Sequence, residues 1–170
     1  MKGTNALALG IGAGLVGTAL MTAWQETVAH LKRSMTPKHM ADGEDPWKRA
    51  PAPAQVGRRV VQLTTGRDVP PERIPLFTNA VHWAFGTGMG AVYGLVGDRL
   101  GRNAAVRGSL FGLGVWGQSY ATLVPMGLYE PPWHYPARTI AKDVSYHLVY
   151  GAGTAAGYQL LSRLARRPGA

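Results

Sequence analysis

The chain has 170 residues, of which 23 are Gly and none Cys, and its formal net charge is +9. The length suits about one domain, and the lack of cysteine rules out disulfides, thiolate nucleophiles and Cys-ligated zinc. A pI near 10.3 would suit nucleic acid, but Lys and Arg flank apolar stretches instead of forming basic runs interleaved with aromatics, which argues against a nucleic-acid partner.

The glycines lie inside the apolar stretches and the charges lie between them. That distribution predicts an all-α integral membrane four-helix bundle with the lipid bilayer as its surroundings. The mean hydropathy of -0.06 is low for such a protein. Much of that comes from Gly and from a long polar first loop.

Taken in order, residues 6–31 form the first expected span, uncharged up to Trp24. A signal-peptide reading competes, because Lys2 precedes an apolar run and small residues lie near Ala23, but the run is long for such a segment. Residues 32–75 form a polar loop broken by Pro37, Pro46, Pro51, Pro53, Pro70, Pro71 and Pro75, so no long helix fits there. Within it, Val56, Val60, Val61 and Leu63 can share one face beside Arg58 and Arg59, the pattern of a short interfacial helix.

The second span is 77–97, followed by the tight D-R-L-G-R-N connection and a third span over 106–128. A short link makes antiparallel neighbours. Pro125 is expected to bend or end the third helix, and the following loop is rich in Trp and Tyr, as at a headgroup belt. The fourth span, 144–164, runs into the basic residues Arg163, Arg166 and Arg167. Lys and Arg are densest in the short segments on the side of the termini, which predicts both termini in the cytoplasm.

The second and fourth spans share the text H-x-x-[FY]-G-x-G-x-x-x-x-Y-x-L, with His82 on His147 and Tyr93 on Tyr158. The first and third echo each other in G-A-G-L-V-G and G-L-G-V-W-G. Two repeated hairpins in one orientation predict a pseudo-twofold axis along the membrane normal. Small-xxx-small pairs occur in every span: Gly10 and Gly14; Gly86, Gly90 and Gly94; Gly108 and Gly112; Gly153 and Gly157. These are the expected packing faces, because glycines let backbones approach closely where lipid offers no hydrophobic drive.

Two constellations bear on chemistry. Gly12, Gly14 and Gly17 match G-x-G-x-x-G, but neither a preceding strand nor an acidic residue closing a second strand is present, so a dinucleotide site is not expected. The second is a polar cluster at the non-cytoplasmic end: Glu26, His30, His82, His147, Glu130 and His134, with His39 in the loop. Imidazoles and carboxylates at one level suit proton response, a divalent metal or haem, and an ionisable residue at a membrane boundary is a functional candidate. With no tight spacing such as H-E-x-x-H, no metal ligand set or cofactor is assigned. The competing reading makes these residues interfacial anchors.

On W-x-E (Trp24, Glu26), P-M-G-L followed by P-P-W (Pro125 to Leu128, Pro131 to Trp133) and H-L-V-Y (His147 to Tyr150), with a basic tail behind, the chain resembles the YagU-like family of small bacterial inner-membrane proteins. The resemblance is strongest from about Asn79 to Arg167. It implies a multi-span inner-membrane protein linked to acid tolerance, with Glu26, His82 and His147 at marked positions and no catalytic residues. The expectation is a non-enzymatic, stress- or acid-related membrane component. The alternatives are an oligomeric transporter or channel-like element, with a homo-oligomer or another membrane protein as partner, and a metal- or haem-binding membrane subunit.

Overall fold

The computed structural model describes residues 3–33 and 45–166, and the described residues hold five α-helices and no strand. They are α1 (Gly3–Arg33), α2 (Ala52–Thr65), α3 (Ile74–Val96), α4 (Ala104–Leu123) and α5 (Ala137–Leu164). The boundaries follow local chemistry. Pro75 falls in the first turn of α3, where its missing N–H costs nothing. The Asn103 side chain caps α4 by accepting from the Val106 amide at 2.9 Å. Pro125, which has no N–H to continue the ladder, follows the end of α4, so that helix stops at Leu123, short of the 106–128 span expected from composition. Gly127 then turns the chain at φ +68°.

The long helices are arranged in the order α3, α1, α5, α4, with the first helix of the chain at the centre. One stripe of α1, Gly10 and Gly14, lies on Gly86, Gly90 and Gly94 of α3. A Cβ on Gly14 would stand 2.8 Å from the Gly90 Cα, so only a hydrogen fits there. The adjacent stripe of α1, with Ala13 and Gly17, meets Gly153, Thr154 and Gly157 of α5. Gly108 and Gly112 of α4 lie on the backbone of α5 around His147 and Gly151. The nine glycines singled out from sequence therefore all stand at helix contacts. Gly17 and Gly151 do so too and escaped notice; the second is paired with Ala155, a small residue that the glycine pattern overlooks.

The expected pseudo-twofold does not match these contacts. Such an axis would make α4 meet α3 as α1 meets α5, yet only the α1–α5 pair has a long seam. The text repeat is also out of step with the packing. Gly14 aligns with Gly114 in the repeat, yet a Cβ at Gly14 would meet the Gly86 carbonyl whereas one at Gly114 would meet nothing within 4 Å. Contact geometry follows the glycines, and these are placed differently in the two hairpins.

Outer helices α3 and α4 meet through Tyr93 and Phe111, edge to face at 5.0 Å. Met21, Val115 and Tyr150 complete this core. Nearby, Arg107 pins the link between α3 and α4, pairing with Asp98 at 2.6 Å and donating to the Gly101 carbonyl at 2.7 Å.

At the other end, the described part of the polar loop folds against α3. Trp47, Ala50, Ala54 and Val69 form a small core with Val61, Ile74 and Phe77, and the Trp47 indole donates to the Val69 carbonyl at 3.0 Å. The apolar face expected on α2 is divided. Its buried stripe is Ala54, Gly57 and Val61, because Gly57 admits the Phe77 ring; Val60 and Leu63 point outward, 54% and 80% exposed.

Asp68 closes this subregion. It accepts from Arg58 Nε at 2.7 Å and Nη2 at 2.6 Å, and from Gln62 at 3.0 Å. The Arg58 guanidinium and the Val69 amide hold the Asp68 carboxyl well below the usual carboxylate range. A depressed carboxyl stabilises the folded loop above its unfolded pKa of about 4 and loses that effect as pH falls towards the folded value. Asp68→Asn is expected to speed proteolytic cleavage across residues 66–70 at pH 7, and acidification below about pH 3 should do the same to the wild type. Equal cleavage of mutant and wild type at pH 7 would show that the ion pair does not hold the loop.

Candidate functional site: an interhelical cavity

Between the ends of α1, α3, α4 and α5 opposite the Tyr93–Phe111 contact lies a cavity of about 770 Å³. Its walls carry Thr22 and Gln25 of α1, His82 of α3, Gln118 of α4, and Asp143 and His147 of α5. The mouth is edged by Lys48, Gln55 and Met126, and Arg59 ties α2 to this rim by donating to the Met126 carbonyl at 2.7 Å. Deeper in, the Tyr150 hydroxyl donates to the Gly86 carbonyl at 2.7 Å, joining α5 to α3.

Asp143 is the central acid. It accepts from the Trp116 indole at 3.0 Å, and the Tyr120 ring packs against that indole at 5.2 Å. His147, one turn later, has Nδ1 2.9 Å from the Asp143 carbonyl oxygen and 3.7 Å from its carboxylate. Both side chains are largely buried, at 12% exposed for His147 and 21% for Asp143. Across the cavity, His82 Nε2 is 3.2 Å from the Thr22 hydroxyl, and the imidazole is near enough to His147 for their charges to interact. Burial, reinforced by the Asp143 carboxylate, pushes the Tyr129 hydroxyl at the rim up to about 12. That tyrosine stays protonated at physiological pH.

The structure brings His82 and His147 of the expected cluster to the cavity wall, and Glu26, His30, Glu130 and His134 do not line it. Glu26 is exposed and does not line the cavity. The residue of α1 level with His82 is Thr22, a full turn earlier, so Glu26 lies past the imidazoles and Asp143 takes the place proposed for it. His30 is likewise exposed. Glu130 and His134 pair with each other at 3.3 Å on the exposed loop, and His39 lies outside the described residues. No group of three or more His, Asp or Glu among the described residues is arranged to hold a metal ion. Asp143 was legible in principle, because Asp143 and His147 have the i,i+4 spacing that places two side chains on one helix face.

Among the described residues one helix is long and apolar enough to cross a membrane, over Asn5–Leu31. The remaining long helices carry polar residues that lower their apolarity: Asn79, His82 and four glycines in α3, and Arg138, Lys142 and Asp143 in the first turns of α5.

Comparison with protein-family models, curated proteins and solved structures finds no match to this chain. Nothing in these observations points to an enzymatic activity.

Proposed function

We propose that this chain is a small multi-pass protein of the bacterial inner membrane, a four-helix bundle with both termini on the cytoplasmic side. In this reading it acts without catalysis, as a proton-responsive component of an acid or stress response. The observation that carries the membrane reading is the apolar outer surface. Leu15, Leu20, Val92, Leu95, Leu110, Leu113 and Leu160 are 41–59% exposed on all four long helices. Scattered exposed leucines are ordinary on a soluble protein, but apolar residues turned outward from every long helix around glycine-packed seams suit lipid as the solvent. The protein is expected to remain with the membrane pellet through an alkaline carbonate wash. Its release into the supernatant would overturn the reading.

The resemblance to the YagU-like family supports the acid link, and so do two facing imidazoles in a shared cavity. Histidine changes charge between about pH 5 and 8. Charging both rings across one cavity adds repulsion between α3 and α5. Hydrogen exchange in nanodiscs, corrected for intrinsic rates, is expected to rise at the cavity ends of α3 and α5 between pH 7.5 and 5. The double variant His82→Gln, His147→Gln should lose that rise. An unchanged profile in the variant would reduce both residues to structural polar groups.

A transporter-like oligomer is a second reading, favoured by the cavity itself. Crosslinking in native membranes separates the two, since a strict monomer argues against it.

A further inference from the structure

We infer that the cavity is a binding site for a small organic cation, with the Asp143 carboxylate as its counter-charge and the two histidines as a proton-driven means of expelling it. The inference rests on the cavity geometry and takes the membrane reading as its setting.

Among the described residues lining the cavity, Asp143 is the one acid and Lys48 the one permanent cation. The carboxylate is held by the Trp116 indole, which donates to one of its oxygens at 3.0 Å. That donor is neutral, so an ionised carboxylate here lies in a largely buried place where an uncompensated ion is costly. A cation entering the cavity would relieve that cost. The rest of the wall suits an organic cation better than a bare metal ion. Phe85, Tyr129, Tyr135, Tyr146 and Tyr150 supply aromatic surface, and aromatic rings attract ammonium-type cations through the negative charge on their faces. The oxygen- and nitrogen-rich cage that a metal ion needs is not found among the described residues.

The titratable and charged groups facing Asp143 are Lys48 from the turn Pro46–Arg49, His82 from α3, Tyr120 from α4, Tyr129 and Tyr135 from the following loop, and Tyr146 and His147 from α5. Helix α1 contributes Thr22 and Gln25 to the wall, which do not titrate in this range. Imidazole is the side chain type on this wall whose ordinary titration range lies between pH 5 and 8. Proton uptake by His147 would place a positive charge 3.7 Å from the carboxylate, in competition with a bound cation. Proton binding and cation binding thus exclude each other at one carboxylate.

The test uses full-length protein in nanodiscs of neutral lipid, with tetraphenylphosphonium as a permanently charged probe and triphenylphosphine oxide as its neutral counterpart. Equilibrium dialysis at pH 8 should show saturable binding of tetraphenylphosphonium to the wild type, at least tenfold tighter than the neutral compound. Affinity should fall at least fivefold at pH 5.5. Asp143→Asn should lose at least tenfold in cation affinity, Asp143→Glu should recover part of it, and His147→Gln should flatten the pH dependence. Equal binding of the charged and neutral compounds by the wild type would overturn the inference, and so would affinity independent of pH. These wild-type comparisons stand even if a variant fails to fold. Carbonate extraction tests the membrane setting separately: a protein that stays in the membrane and does not prefer the cation refutes only the cation site.

Discussion

Gly90→Leu is expected to separate α3 from α1. A Cβ at Gly90 would stand 2.6 Å from the Gly14 amide nitrogen, with the Gly10 carbonyl also in its path. These are backbone atoms of a neighbouring helix, so no rotamer change makes room. Overpacking of this kind costs about 1–3 kcal/mol in a core whose side chains can adjust, and here the helices themselves must part. A loss of about 3 kcal/mol or more would lower the melting temperature of a chain this long by about 6–12 °C. Gly88→Leu on the same helix is the control, because nothing stands within 4 Å of a Cβ there. Circular dichroism melts of both variants in the same detergent check the contrast. Equal melting temperatures would mean that the glycine seam does not hold α1 and α3 together.

Phe111→Ala is expected to weaken the contact between α3 and α4. The ring is 6% exposed, stands edge to face with Tyr93 at 5.0 Å, and lies 6.2 Å from the Tyr150 ring. Phe-to-Ala changes in water-soluble cores cost about 3–5 kcal/mol. The low end, about 3 kcal/mol, applies in a bilayer, where lipid replaces water outside and the loss is mainly of packing contacts. Leu110→Ala, at a position 49% exposed, should change the melting temperature little. Because Tyr93 and Phe111 join α3 to α4, the variant should also loosen the helices around the cavity at its closed end. A melt indistinguishable from that of Leu110→Ala would show that the two outer helices are held by other contacts.

The helices were legible in the sequence because prolines and charges bound the apolar stretches so clearly. The packing faces were legible too, since small residues four apart suggest little else inside an apolar segment. Contacts between distant segments were less accessible. On α2, Val60 and Leu63 look like the buried side of an amphipathic helix, but Gly57 decides which face meets α3, by leaving room for Phe77. At the site, Glu26 stands out in the sequence because it ends an uncharged run. Asp143 sits in the second turn of α5, after Arg138 and Lys142, where a charge passes for the flank of a span, and its surroundings depend on Trp116 from another helix. The repeat between the second and fourth spans misled for a related reason. Matching letters record a shared pattern of residue types, while the crossing point of two helices is set by where each has no side chain.

The central place of α1 has a consequence for how the protein is made. This helix leaves the ribosome before the partners for its two glycine stripes, which are α3, beginning at residue 74, and α5, beginning at residue 137. Helix α4 is in a similar position, because its main neighbour, α5, is also synthesised after it. A chain halted after α4 would hold one finished pair, α1 with α3, and two uncovered glycine surfaces. In the membrane reading proposed above, assembly follows insertion as a later stage, and α1 and α4 wait in lipid until α5 arrives. Quality control that distinguishes copies with α5 from copies halted before it would need to sense only whether α5 has docked.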